Sequence, residues 1–227
     1  MYIHLKMKDQ VKELVTKEEN DKKKDTLPSV DSAQSVGSTK WLILETLSYR
    51  NQDGVERKWD MVTRTTKKSW KDADAVIIIP LLHYKDRNTV DTLLVHQFRP
   101  PVRQETVEFP AGLIDAGESP LDAALRELKE ETGYIGNRSK SEVLPRQACM
   151  SPGLTDESII VTMIHIDMPQ TPEAENEESE FIRVQQVPID QALTTLLAQS
   201  PSMPIMGLYL FSLGYKLGHE FGLQRNS

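Results

Sequence analysis

Glu127, Glu130 and Glu131 stand close together in a stretch rich in helix-forming residues, and three carboxylates at that spacing can do what one cannot. At about 100° of rotation per residue they fall within an arc of about 100° on one helical face, while Leu121, Ala124, Leu125 and Leu128 share another. Like charges so placed repel mildly in an isolated helix, and a divalent cation turns that repulsion into attraction. Oxygen-only donors with room for water and phosphate suit Mg²⁺, with Mn²⁺ as a second choice, rather than zinc. Taken alone, the three glutamates fit an ordinary solvated acidic face better than a metal site.

The flanking residues delimit the helix that must carry them. Ser119 is a good N-cap, Pro120 fits the first helical position, Asp122 favours the positive end of the helix dipole, and Gly133 suits the stop. The spacing predicts a helix over Pro120–Thr132. Gly112 and Gly117 are expected to serve the preceding loop through glycine's permissive dihedrals. Upstream, strand-like residues 41–49 and 56–66 flank Asp53-Gly54, a turn dipeptide, and read as a hairpin. Further strands are expected at 75–82, 89–98 and 105–109, with a polar turn at 85–88. After the helix come a strand at 158–167, an acidic loop at 170–180, a strand at 181–187, and helices at 189–199 and 205–216. The order describes a mixed α/β sandwich.

Composition limits the function classes. The 227 residues carry 27 basic and 34 acidic side chains, a net charge of -7, which argues against nucleic-acid binding. Up to Lys40, eight lysines and seven acids with few large apolar residues read as a flexible N-terminal tail, a short helix being the alternative. Removing that stretch leaves 19 basic and 27 acidic residues, so the folded part carries the acidity. The single cysteine, Cys149, is expected to be a small buried hydrophobe and suits a reducing compartment. The longest apolar run, 75–82, is far short of the roughly 20 residues that cross a bilayer, and no signal peptide is read. The expected compartment is the cytoplasm, with the nucleus and mitochondria left open.

The full spacing of Gly112, Glu118, Arg126, Glu127, Glu130, Glu131 and Gly133 matches the Nudix box, G-x5-E-x7-R-E-U-x-E-E-x-G-U, at every fixed position. Tyr134 is the one departure, aromatic where an aliphatic residue is usual. The resemblance implies a Nudix α/β/α sandwich with a mixed sheet, preceded here by a small N-terminal antiparallel β element. It also implies hydrolysis of a nucleoside diphosphate linked to another moiety. Three parts follow: a tail at 1–40, a hairpin region at 41–70 for dimerisation and base stacking, and a hydrolase domain at 71–227 with the box at 112–134. By resemblance Glu127 and Glu131 are the principal metal ligands, Glu130 assists, and the Ala111 carbonyl completes the site. Arg126 reads as orienting the glutamates rather than touching substrate.

The wider chain, roughly 41–217, resembles eukaryotic ADP-ribose/ADP-sugar pyrophosphatases. The matching stretches are Lys40-Trp41, Arg57-Lys-Trp59 with Val62-Thr-Arg64, Gln97-Phe-Arg99-Pro-Pro, Glu108-Phe-Pro-Ala-Gly-Leu-Ile-Asp115, and Met150-Ser-Pro-Gly-Leu154. The connection from Tyr134 to Pro152 is a few residues longer than in that family, which bears on sugar selectivity. The resemblance implies that Trp41 and Trp59 stack adenine across a homodimer with exchanged N-terminal strands, a role that suits flat, rigid indoles. Arg64 and Arg99 match residues that contact the diphosphate, and Gly112 and Met150 complete the implied substrate contacts. Glu180, before the strand at 181–187, matches the family's candidate base, with Glu118 as the alternative. His83, His96 and His165 show no ligand spacing and read as structural or exposed. Three functions stay open: an ADP-sugar pyrophosphatase, a Nudix hydrolase of another nucleoside diphosphate derivative, and a module that binds ADP-ribose without turnover. The intact glutamate cluster speaks against the third.

Overall fold

A computed structural model of the chain describes residues 27–67, 69–173, 181–198 and 201–221. They fall into two compact units, the first running to Thr66 and including Gly153–Thr155, the second containing the remainder.

The first unit is a three-stranded antiparallel sheet of β1 (Ser29–Ser38), β2 (Leu42–Arg50) and β3 (Glu56–Arg64), in that spatial order. The expected hairpin is β2–β3, paired without interruption from Leu42↔Arg64 to Arg50↔Glu56. Its turn is built by Asn51, whose side-chain oxygen accepts from the amides of Asp53 (3.0 Å) and Val55 (2.9 Å), while Gly54 takes φ +74°. Thr39 organises the β1–β2 turn by accepting from the amides of Trp41 and Leu42. Leu154 joins this unit through its carbonyl, which accepts from Val62 N at 2.9 Å.

The tail expected up to residue 40 is corrected over 29–38, where β1 pairs with β2 across two bulges. Every residue of β1 is exposed, so it carries no burial pattern for a sequence reading to find. Its order comes from main-chain bonds to a neighbour, which serine and glycine make as well as valine does.

The second unit is one mixed sheet between helices. Its elements are β4 (Ala75–His83), β5 (Val90–Arg99), a 3-10 turn (Pro100–Val102), β6 (Gln104–Glu108), β7 (Ala111–Leu113) and α1 (Pro120–Thr132). There follow β8 (Glu142–Val143), β9 (Ala148–Cys149), β10 (Ser158–Asp167), β11 (Arg183–Pro188), α2 (Ala192–Ala198), β12 (Met203–Pro204) and α3 (Met206–Glu220). The path is β12-β6-β5-β4-β10-β8, with β11 on β5, β7 on β4 and β9 on β10.

Strand β4 is central, and β10 runs parallel to it over its whole length, from Ile159↔Ala75 to Asp167↔His83. Its other side is split: β7 pairs with Ala75 to Ile77, and β5 only with Leu82 and His83. Pro80 falls between those two ladders, where its missing N–H breaks no bond on that side. The period of two divides the core. Val76, Ile78 and Leu82 join Ala124 and Leu128 of α1 in one layer, while Ile77 joins Ala192, Leu196 and Leu208 in the other. Leu121 and Leu125 pack against the first layer, so the expected apolar stripe of α1 is the packed one.

Cys149 corrects a sequence expectation, since it is exposed. It lies in a two-residue strand at the sheet margin, within a run of exposed residues from 145 to 154, so composition gave no measure of its burial. Among the described residues no helix is long and apolar enough to cross a membrane.

Candidate active site

Helix α1 forms as its caps dictate. The Ser119 side chain accepts from Asp122 N, Pro120 opens the first turn, and Gly133 closes the last at φ 76° with its N–H on the Lys129 carbonyl. The helix thereby brings Arg126, Glu127, Glu130 and Glu131 alongside β7 and the loop of residues 114–119.

Arg126 holds this arrangement together. Its Nε and Nη2 donate to the two oxygens of Glu118 at 3.0 and 2.9 Å. Nη1 donates to Glu127 Oε1 at 2.8 Å and Glu130 Oε2 at 2.9 Å, and Nη2 also reaches the Leu113 carbonyl at 3.0 Å. One guanidinium therefore collects three carboxylates and a backbone carbonyl, as the orienting role expected of it requires. The bonds from Arg126, helped by the Asp115 amide, hold the Glu118 carboxyl below the usual carboxylate range. The Arg126 guanidinium is shifted upward in turn, chiefly by Glu118.

The glutamate face is less solvated than its helical position suggests. Glu131 is 7% exposed and its Oε2 accepts from the Ala111 amide at 3.2 Å. Glu127 lies against β7 so closely that a Cβ on Gly112 would stand 1.9 Å from its carboxyl carbon. This corrects the reason given for Gly112: it is a strand residue without positive φ, and it is glycine because a carboxylate occupies the space of a side chain. Gly117, at φ +86°, does serve the loop through its dihedrals. We expect Gly112→Ala to lower turnover about 10²-fold, the usual scale for an ångström of misplacement at a reacting centre. Its melting temperature should stay near the parent's, because the group displaced is the end of a flexible side chain. Unchanged turnover would show that the Glu127 position is immaterial.

Among the described residues no three acidic or imidazole groups are gathered into a coordination shell. Glu127 and Glu130 turn toward Arg126, and Glu131 toward the Ala111 amide. The donors nevertheless fit a hard divalent cation by chemistry, being all carboxylate oxygens on one helix flank beside a strand that lacks a Cβ at Gly112.

The other residues singled out by sequence divide between the units. Trp41 and Trp59 lie in the first and are 62% and 46% exposed; Lys40 Nζ sits 4.2 Å above the Trp41 ring. Arg64, also in the first unit, ends β3 half-buried. Arg99 and Met150 belong to the second. Met150 is exposed, with its N–H on the Glu157 carbonyl. Glu180 lies outside the described residues, as do all the loop glutamates but Glu173. The histidines are structural: His83 and His165 stack at a centroid distance of 4.8 Å, and buried His96 lies between Glu105 and Gln185.

Glu108 was given no role by sequence reasoning. It is 5% exposed and takes a two-point contact from Arg99. The signal available was an acid flanked by apolar Val107 and Phe109 in a strand-like run, where a buried unpaired charge is costly.

A model of the NUDIX domain matches residues 71–205. The chain belongs to the Nudix family. All seven fixed positions of the Nudix box, Gly112 to Gly133, fall inside the matched span. The yeast Saccharomyces cerevisiae ADP-ribose pyrophosphatase is 43% identical to this Nudix chain over 148 residues, 63% of this chain and 62% of the relative. The mouse (Mus musculus) ADP-sugar pyrophosphatase is 39% identical over 171 residues, 74% of this chain and 76% of the relative. The chain thus spans about three-fifths of the yeast relative and three-quarters of the mouse one. Among solved structures, an ADP compounds hydrolase superposes with a TM-score of 0.62 at 20% identity, covering 87% of this chain and 98% of that one. That likeness concerns the Nudix fold alone.

Proposed function

We propose that this Nudix chain hydrolyses the pyrophosphate bond of ADP-ribose or a related ADP-sugar, releasing AMP and a sugar phosphate, with Mg²⁺ as its metal. The observation that carries the reading is the Arg126-centred set of Glu118, Glu127 and Glu130 beside Glu131, in a chain that shares 39% identity with an ADP-sugar pyrophosphatase over 74% of its length. A pyrophosphate is shielded by its own negative oxygens, so hydrolysis needs that charge neutralised, a water held in line, and its proton removed. Bound divalent metal supplies charge neutralisation and acidifies water.

The chain's own residues do the rest. Glu127 and Glu131 hold the metal, Glu130 assists, and the Ala111 carbonyl completes the site. Arg126 keeps the carboxylates in place. Trp41 and Trp59 take the adenine, Arg64 and Arg99 the diphosphate, with Gly112 and Met150 lining the remainder. Glu180 accepts the water's proton as the new P–O bond forms and the bridging P–O bond breaks. For Glu180→Gln we expect turnover to fall about 10²-fold with substrate and Mg²⁺ affinity little changed, since the amide loses only basicity. Unchanged single-turnover chemistry would remove Glu180 from that role; Glu118, already bound by Arg126 and the Asp115 amide, is then a weaker candidate than it was by sequence.

The test of the function is a panel of nucleoside diphosphate derivatives incubated with Mg²⁺, the products resolved by chromatography. Preferential release of AMP from ADP-sugars supports the reading, and preference for a non-adenine substrate replaces it with the broader Nudix hydrolase.

A homodimer with exchanged N-terminal strands is part of the proposal. Its support is the exposure of Trp41, Trp59, Leu42 and Leu44 in a sheet whose edge strand is wholly exposed. Sedimentation at micromolar concentration should give a mass of two chains; an active strict monomer would exclude it. The single cysteine is consistent with a reducing cytoplasm.

A further inference from the structure

We infer that Glu108 is a positioning residue that presents Arg99 to the diphosphate of the substrate, an inference that rests on the role proposed above for Arg99. Glu108 ends β6 with its side chain 6% exposed, whereas that of Arg99 is 45% exposed. Arg99 Nε and Nη2 donate to the two oxygens of Glu108 at 2.7 and 2.8 Å, the side-on fork in which both carboxylate oxygens are engaged. Glu108 is held in turn: the hydroxyl of buried Thr106 donates to Oε1 at 2.5 Å, and Thr106 Oγ1 also lies 3.1 Å from the Gln97 carbonyl. All of these residues belong to the β5–β6 hairpin, where Arg99 pairs with Gln104 and Val95 with Glu108.

The backbone at Arg99 is fixed as firmly. The 3-10 turn after it is closed by Arg103, whose N–H donates to the carbonyls of Arg99 (3.0 Å) and Pro100 (3.1 Å) at φ 58°. A non-glycine residue in the left-handed region is strained, and such strain persists where the surroundings hold it for a purpose.

A contribution to stability explains this poorly. Desolvating a carboxylate cancels much of what its ion pair gains, and apolar residues of the same volume hold a fold together as well. Here a buried carboxylate and a strained turn are committed to an arginine whose charged end reaches the surface. What the side-on fork adds is direction. It sets the plane of the guanidinium and with it the direction of every N–H donor, and phosphate oxygens accept from that planar fork only over a narrow range of orientations. An arginine oriented beforehand loses less freedom when the diphosphate binds.

The experiment is a double-mutant cycle on the full chain, read as KM and kcat for ADP-ribose. Glu108→Gln keeps the shape, removes the charge and turns an NH₂ toward a guanidinium that needs acceptors. It should raise KM about tenfold, the scale of one charge-assisted contact, with kcat within about twofold. Arg99→Ala should raise KM at least as much, and adding Glu108→Gln to it should raise KM no further. Thr106→Val, which removes the hydroxyl that steadies Glu108, should move KM the same way by less and shows the effect without removing a charge. If Glu108→Gln leaves KM unchanged while Arg99→Ala raises it, the positioning role is overturned and the reading of Arg99 stands. If the two effects multiply, Glu108 acts on the fold and not through Arg99, which also overturns it. If Arg99→Ala leaves KM unchanged, the reading of Arg99 fails and the inference with it.

Discussion

Glu127→Gln and Glu131→Gln are each expected to lower turnover about 10³-fold, because a metal ligand stabilises the transition state by several kcal/mol and about 1.36 kcal/mol is a decade in rate. The structure separates this loss from unfolding. Glutamine keeps the volume that fills the space beside Gly112, and at Glu131 its carbonyl oxygen can still accept from the Ala111 amide. Both variants should therefore keep the parent's circular dichroism and need more Mg²⁺ for half-maximal rate. Near-normal Mg²⁺-dependent turnover in both would sink the assignment of this face as the metal site.

Arg126→Ala should damage both fold and chemistry. Glu118, Glu127 and Glu130 would lose their shared cation, and the Leu113 carbonyl a donor. Because Arg126 is about one-third exposed, we discount the cost of breaking a buried ion pair to about 3 kcal/mol, with turnover falling about 10³-fold as the carboxylates lose their positions. Mg²⁺ should raise the melting temperature of the variant more than that of the parent, since a metal restores part of the lost neutralisation. The acid limb should change too. With Arg126 present, Glu118 titrates below its ordinary value, so its contribution is complete above the unfolded pKa of about 4.3 and is lost as pH falls through the folded one. The variant should lack that part of the acid-induced loss. An unchanged melting temperature with normal turnover would show that Arg126 organises nothing.

Local rules made α1 readable in full. Ser119, Pro120 and Gly133 act through neighbouring backbone groups, and the apolar stripe through a fixed period, so no distant residue had to be known. The long buried strands were equally legible. Expected limits of 75–82 and 89–98 became Ala75–His83 and Val90–Arg99, and Ser158–Asp167 was met at both ends. The short strands β7, β8, β9 and β12 were not, because two or three residues have no period and are strands only by virtue of their partners. Nor was β1, exposed along its length and ordered by pairing to β2.

By itself the sequence determined the family and the helix that carries its carboxylates, because the Nudix box is a set of spacings within one continuous segment and its chemistry depends on residue type. Tertiary structure decided how those carboxylates are held. That Gly112 makes room for Glu127, that Glu131 is buried on the Ala111 amide, and that Glu108 grips Arg99 are contacts between segments 9 to 20 residues apart. Such contacts depend on which strand lies beside which and in what register: β7 on β4 places Ala111 and Gly112, and the β5–β6 hairpin places Arg99 beside Glu108. A carboxylate on a helix face is solvated or buried according to what packs against it, and the packing partner is not written in the helix.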